Sequence, residues 1–412
     1  MRFNNSGRKP QFCKIESAVR DLKKGKIIVV VDDEDRENEG DLVCAAEKAG
    51  PEIINFMVSE GRGLVCVPIS GEIARKLELC PMVEKNTEST GCNFTVSVDY
   101  KHGTKSGISA FDRAKTVQAI VNGGARPENF RRPGHIFPLV AKEGGVLVRA
   151  GHTEASIDLV KMAGLKPAAV ICEVLWINGD MCRGENLAMF AKAHKLKIIS
   201  IRDLIKYRIC EEKLVEKKAD TMLETEYGKF RIMIYEDKIS GKNHIALLKG
   251  KISGAPVLVR VHSECVTGEI FKSLKCDCGQ QLDTALKKIS LEGGVLLYLK
   301  QEGRGIGLVN KLKAYDLQNK GYDTVEANHM LGFKDDLREY GIGAQILRDM
   351  GIKKMILMTN NPRKIIGLDG FGLKVVDRVP IEIKPTKHNL NYLKTKKIKL
   401  GHLLNFIDEK RN

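Results

Sequence analysis

The sequence of 412 residues holds one tryptophan, twelve prolines and no apolar run approaching the roughly 20 residues that span a bilayer. A membrane-spanning helix is therefore excluded. The opening "MRFNNSGRKPQFCKI" lacks the apolar stretch of a signal peptide, so export is not expected. No repeat at a period of roughly 20–50 residues and no low-complexity tract is visible, which argues against solenoids and arrays. No G-x4-G-K-[ST] occurs, so a P-loop nucleotide switch is excluded as well.

Cysteine and positive charge are present in surplus. Eleven cysteines at irregular spacing fit a reducing compartment, where thiols serve metals or catalysis more often than disulfides. A cytoplasmic chain is expected. Lys plus Arg is 68 against 52 acids, a net charge of +16, which attracts phosphate on nucleic acid or on small metabolites. Nucleic-acid binders interleave basic runs with aromatics, but the densest run here, "LKTKKIKLG", has Tyr392 alone beside it. Solvated faces with a few phosphate anchors are the reading, with neither nucleic acid nor membrane as partner.

The length is too great for one compact core, and the pattern supplies two. In the first half "KIIVVVDD", "RGLVCVPIS", "FTVSVDY", "GGVLVRAGH" and "AAVICEVLW" read as strands, and "IESAVRDLKKG", "SIDLVKMAG" and "GENLAMFAKAHKL" as helices. Residues 206–230 read as a charged, strand-poor linker. Beyond it "FRIMIYED", "HIALLKG", "PVLVRVHS" and "GGVLLYL" restart a strand series, alternating with helical "QQLDTALKKIS", "LVNKLKAYDLQNKG" and "IGAQILRDMG". The expected class is α/β (α+β): two domains, 1–209 and 210–412, each a mixed sheet covered by helices.

Cys265, Cys276 and Cys278 are the last three cysteines, spaced C-x10-C-x-C. Zinc closes a structural site with four protein ligands and leaves one position open in a catalytic one. His262 stands three residues upstream as a possible fourth ligand, so a closed structural site, as in a nucleic-acid-binding protein, stays open at this stage. Downstream, "KQEGRGIGL" can bring backbone N–H groups against a phosphate. "MTNNPRKI" ends a strand with Arg363 and Lys364 at its carboxyl end, where α/β sheets bind ligands. In the first half, "VVVDDEDRENEGDL" follows a buried-type strand with carboxylates that suit Mg²⁺. "VRAGHTEAS" offers His152, and "VICEVL" offers Glu173.

These motifs carry a resemblance. From about residue 211 to 405 the chain resembles GTP cyclohydrolase II, through "RVHSECVTG", "CDCGQQL", "QEGRGIGL", "DTVEAN", "GAQIL", "TNNPRK" and "GHLL". The resemblance implies zinc on Cys265, Cys276 and Cys278 with water in the open position. It implies GTP contacts at Arg260, Val261, His262, Ser263, Glu264, Gln281, Glu302, Gly303, Arg304, Thr324, Thr359 and Lys364. The proton acceptor falls on Asp336, the nucleophilic arginine on Arg338, and Tyr315 near the base. A magnesium ion would accompany the triphosphate.

From about residue 12 to 209 the chain resembles 3,4-dihydroxy-2-butanone 4-phosphate synthase, through "DDEDRENEGDL", "FTVSVD", "GISAFDRAKT", "RPGHIFPL", "RAGHTEAS", "DLVKMAGL" and "PAAVICE". Magnesium or manganese ligands then fall on Glu37 and His152. D-ribulose 5-phosphate contacts fall on Arg36, Glu37, Asp41, Arg149, Ala150, Gly151, His152, Thr153 and Glu173, and catalysis on His135 and Glu173. Thr104, Ser106 and Arg113 are candidate phosphate ligands. Departures from the family pattern are Cys92 and Asn93 in "STGCNFT", and Trp176 and Cys182 in "EVLWINGDMCRGEN"; none touches a named ligand. The resemblance implies a homodimeric, bifunctional enzyme supplying two riboflavin precursors.

Overall fold

The computed structural model describes residues 11–33, 36–88, 90–333, 340–361, 371–399 and 401–405; the side chains of Arg304, Tyr340 and Asn391 also lie outside the description. The chain divides into two compact units, Met1–Arg208 and Ile209–Asn412. Among the described residues no helix is long and apolar enough to cross a membrane.

In the first unit the strands are β1 (Ile28–Val31), β2 (Gly40–Ala45), β3 (Cys66–Ile69), β4 (Val98–Tyr100), β5 (Phe130–Val140), β6 (Ala169–Glu173) and β7 (Ile198–Ser200). They form one mixed sheet in the order β4-β5-β3-β6-β2-β1-β7. The sequence "IVVV" of β1 is apolar throughout because both faces of the strand are covered. Ile28 and Val30 join Val43 in one core layer, while Val29 and Val31 join Leu42 in the other. β2 runs antiparallel to β1, with Val31 opposite Gly40, and to β6, with Asp41 opposite Glu173. That register puts the end of β1, the start of β2 and the end of β6 at one edge of the sheet.

One expected strand is absent. "GGVLVRAGH" forms a 3-10 turn at Gly145–Leu147, and His152 opens the helix His152–Met162 instead of following a strand. Gly144 and Gly145 both take positive φ, which ends any extended run. The Asp158 carboxylate then accepts the Val146 N–H at 2.8 Å.

In the second unit the strands are β8 (Val215–Thr225), β9 (Gly228–Asp237), β10 (Asn243–Lys249), β11 (Val257–Ser263), β12 (Gly294–Leu299), β13 (Lys354–Met358) and β14 (Lys374–Val379). Their order is β14-β13-β11-β12-β10-β9-β8. β11 is parallel to both β12 and β13, so three adjacent carboxyl ends, at Ser263, Leu299 and Met358, open on one edge.

The expected linker at 206–230 is overturned. The helix Ile201–Glu211 and the eleven-residue strand β8 occupy it. Among the described residues β8 pairs only with β9, and it is exposed on both faces between Glu216 and Glu224, so its charged sequence carries no alternation to read.

Candidate active sites

The acidic stretch of the first unit is the loop joining β1 to β2. Asp32 organises it: Oδ1 accepts the Glu39 N–H at 2.8 Å, and Oδ2 accepts the Glu37 N–H at 3.2 Å and Arg36 Nη1 at 2.7 Å. Ligand atoms of Asp32, Glu37 and His152 lie within 4.8 Å of one another. Asp32 and Glu37 share the Arg36 guanidinium, and Asp32, Glu37 and His152 together offer a donor set for a cation. His152 is buried, and its Nε2 has no hydrogen-bond partner. Such an orphaned atom costs about 1–3 kcal/mol, a penalty that a coordinated cation removes. Burial also holds the imidazole below its ordinary pKa, in the neutral form that binds metal. A carboxylate, a neutral imidazole and room for substrate oxygens fit Mg²⁺ or Mn²⁺.

Asp41 and Glu173 are cross-strand neighbours beside this pair, and His152 Nδ1 stands 3.8 Å from Asp41 Oδ1. Burial first, then the charges of Glu173 and Glu37, push the Asp41 carboxyl well above the usual carboxylate range. Two carboxyls in such surroundings can divide the roles of proton donor and acceptor. Glu173 is aimed by the Leu64 N–H, which its Oε2 accepts at 2.8 Å.

His135 stands on β5 and forms a separate pair. Its Nδ1 is 2.7 Å from Asp99 Oδ2, and its backbone N–H donates to Asp99 Oδ1 at 2.9 Å. Only glycine fits at 107, where φ is +84° and a Cβ would stand 2.1 Å from Asp99 Oδ2 and 2.6 Å from His135 Nδ1.

The other expected substrate contacts are spread. Arg149 donates to Glu154 Oε2 at 2.6 Å and to Thr90 O at 3.0 Å, so its guanidinium is already oriented. Gly151 is the N-cap of the His152 helix, Thr153 is buried in the first turn, and Ala150 is exposed. Thr104 donates to Tyr100 O, and Ser106 lies 3.4 Å from Asp112 Oδ2. Arg113 is half-buried with an unpartnered Nε. Of the departures, Cys182 is buried and Trp176 packs against the core, but Cys92 Sγ lies 3.9 Å from Thr153 Oγ1, so one departure does touch an expected substrate contact.

In the second unit the carboxyl ends of β11, β12 and β13 feed one cleft, lined by Arg260, His262, Ser263, Glu264, the three cysteines, Gln281, Glu302, Gly303, Tyr315, Thr324 and Thr359 among others. Val261 lies between Arg260 and His262 on a strand, so its buried side chain turns to the other sheet face. Asp336, Arg338, Arg363 and Lys364 lie outside the described residues, as does the Arg304 side chain.

The Sγ atoms of Cys265, Cys276 and Cys278 lie within 4.8 Å of one another, with Cys265 and Cys276 3.7 Å apart. Among the described residues no fourth His, Cys, Asp or Glu joins the group. His262 is turned elsewhere: its Nε2 pairs with Glu269 Oε1 at 2.8 Å. The thiols approach because Gly268 lacks a side chain; a Cβ there would stand 2.7 Å from Cys276 Sγ. Hydrogen bonds from the Cys276 and Cys278 thiols, then the Lys311 ammonium, pull the Cys265 thiol below its ordinary pKa. Lys311 Nζ stands 3.1 Å from Cys265 Sγ and 2.8 Å from Glu302 Oε1. Three soft sulfur donors, with no fourth ligand among the described residues, fit zinc. Burial instead drives the thiols of Cys44, Cys172 and Cys182 up to about 12, where they remain inert core groups.

Asp99, Lys311, Asp277 and Lys396 were not singled out by sequence reasoning. Asp99 and Asp277 lie inside quoted motifs, "FTVSVD" and "CDCGQQL", but their partners are distant in the chain.

Two donor sets of different chemistry, on two separate sheets, mark a bifunctional enzyme. A family model for 3,4-dihydroxy-2-butanone 4-phosphate synthase matches residues 16–207, and one for GTP cyclohydrolase II matches 216–380. Riboflavin biosynthesis protein RibBA of Endomicrobium trichonymphae is 58% identical over 395 residues, 95% of this chain and 98% of that protein. The protein of the same name from Bacillus subtilis is 58% identical over 398 residues, 96% of this chain and 100% of its own length. RibBX, a two-domain 3,4-dihydroxy-2-butanone 4-phosphate synthase from A. baumannii, has a crystal structure that matches with a TM-score of 0.69 at 37% identity. It covers 90% of this chain and 100% of its own. The chain belongs to the RibBA family of riboflavin biosynthesis enzymes, with 3,4-dihydroxy-2-butanone 4-phosphate synthase and GTP cyclohydrolase II activities.

Proposed function

We propose that the synthase domain, 1–209, works with Mg²⁺ or Mn²⁺ on Glu37 and His152, and the cyclohydrolase domain, 210–412, with Zn²⁺ on Cys265, Cys276 and Cys278. The first converts D-ribulose 5-phosphate to 3,4-dihydroxy-2-butanone 4-phosphate and formate. The second hydrolyses GTP to 2,5-diamino-6-(5-phosphoribosylamino)pyrimidin-4(3H)-one, formate and pyrophosphate. The observation that carries this reading is the contrast between an oxygen–imidazole donor set and an all-sulfur one, each at a strand-end edge of its own sheet.

When bound, the divalent cation of the first site holds adjacent substrate oxygens and zinc in the second supplies Lewis acidity toward water. The chain's own residues do the rest. Asp41 and Glu173 exchange protons with the sugar carbons and hydroxyls, and Asp99 keeps the His135 ring in one orientation. Arg36 and the Arg149–Thr153 turn receive the substrate's anionic end. In the second site Arg260, Gln281, Glu302 and Thr359 orient GTP, with Tyr315 beside the base. Asp336 serves as proton acceptor, Arg338 as the nucleophile toward phosphorus, and Lys364 as a phosphate anchor with Mg²⁺. The enzyme is proposed to be a cytoplasmic homodimer without nucleic-acid or membrane partners. Exposed Ile108 and Phe111 give the synthase unit apolar surface for a subunit contact.

Formate release by the purified protein, given GTP alone and ribulose 5-phosphate alone with zinc and magnesium present, tests the reading. Formate from both substrates is expected; a substrate that yields none would remove the assignment of its own site.

A further inference from the structure

We infer that Asp277 and Lys396 form a positioning pair for the cyclohydrolase site, making the helix Leu390–Ile398 a working part of it. This rests on the zinc and GTP reading above. The helix lies beyond residue 380, where the match to the cyclohydrolase family model ends.

Asp277 sits between two zinc-candidate cysteines, 2% exposed, and Lys396 is buried over it at 9%. A lysine is rarely buried unless its charge is matched. Here Lys396 Nζ donates to Asp277 Oδ1 at 2.9 Å, and its ammonium also lies 4.3 Å from the centre of the Tyr392 ring. The other carboxylate oxygen, Oδ2, accepts Gln281 Nε2 at 2.6 Å. Gln281 Oε1 accepts Arg260 Nη2 at 2.6 Å, and Arg260 Nη1 donates to Met358 O at 2.9 Å. One chain of hydrogen bonds thus runs from the C-terminal helix, through the Cys276–Cys278 turn, to an arginine of the cleft and the end of β13.

Each link constrains the next. Asp277 is fixed by Lys396, so the backbone that sets the bite of Cys276 and Cys278 is fixed with it. Gln281 is held on both sides, so Arg260 presents its guanidinium in one orientation. Removing the ammonium leaves a buried carboxylate without its cation, which must rotate or draw in water; either movement disturbs a thiolate pair and Arg260 together.

The test uses full-length zinc-loaded protein and the variant Lys396→Met, which keeps the length and apolar stem. Four quantities are read: kcat and KM for GTP, the rate of zinc release to a chromogenic chelator, and the absorption spectrum of the cobalt-substituted protein. The expected result is a KM for GTP raised about 10-fold or more, zinc released faster, and altered thiolate–cobalt bands. Synthase activity should be unchanged. Parent-like KM, release rate and spectrum in the variant would overturn the inference. A parent protein that holds no zinc or does not turn over GTP would instead remove the reading beneath it. Should Lys396→Met fail to fold, the double variant Asp277→Asn/Lys396→Met leaves no lone buried charge. Parent-like KM and zinc release in that protein would equally overturn the pair's role.

Discussion

The His135 ring and the Asp99 carboxylate meet at 2.7 Å, and the same carboxylate also accepts the His135 backbone N–H. Side chain and main chain of one residue are thereby tied to a single acid on the neighbouring strand. Asp99→Asn should leave the fold intact but free the ring. Synthase kcat should fall on the order of 100-fold, with GTP turnover unchanged. An unaltered kcat for ribulose 5-phosphate would show that His135 needs no such anchor.

The two activities should be separable by single substitutions. Cys276→Ser removes one of three thiolates, so GTP turnover and zinc retention should be lost while ribulose 5-phosphate turnover persists. Glu37→Ala should do the reverse. Simultaneous formate assays on both variants decide the matter, and equal loss of both activities in either would contradict two independent sites.

Gly268 offers a sharper probe of the thiol cluster than removing a ligand. An added methyl would stand 2.7 Å from Cys276 Sγ and 3.1 Å from Cys265 Sγ, so Gly268→Ala must push the sulfurs apart. Zinc affinity should drop about 10–100-fold with all three cysteines present. Competition with a chelator of known affinity measures it.

Acid should weaken the second unit through His244. Burial holds this imidazole below its ordinary value of 6.5, and Nδ1 accepts the Lys300 N–H at 3.1 Å. Unfolded, the ring gains a proton near 6.5, so its contribution is full above that pH and is lost as pH falls through the lower folded value. The melting temperature of the cyclohydrolase unit should decline from pH 6.5 downward. It should decline less steeply in His244→Gln, which keeps an acceptor but cannot charge. Parallel pH profiles for parent and variant would exclude His244 as the cause.

The fold was legible wherever a strand is covered on both faces, as in "IVVV" of β1 or "VLVRVHS" of β11, because burial forces an apolar run. It was illegible in β8, whose long exposed stretch imposes no apolar alternation, and at Gly144–Gly145, where backbone conformation overrode an apolar composition. The clustering of the three cysteines was legible because two of them share one motif and the third stands close by, whereas Glu37 and His152, in separate motifs, were brought together only through the family resemblance. Asp99 and Lys396 were not legible, since their partners are 36 and 119 residues away and no spacing rule reaches that far.

The close approach of Cys265 and Cys276 has a practical side. Sulfurs 3.7 Å apart need close by less than about 2 Å to form a bond. A preparation stripped of metal and left in air should therefore close a disulfide between these two sulfurs, with loss of cyclohydrolase activity. Recovery by a reductant followed by zinc, and by neither alone, is the signature to look for. Thiols gathered closely enough to suit a metal are, without one, also placed to oxidise one another.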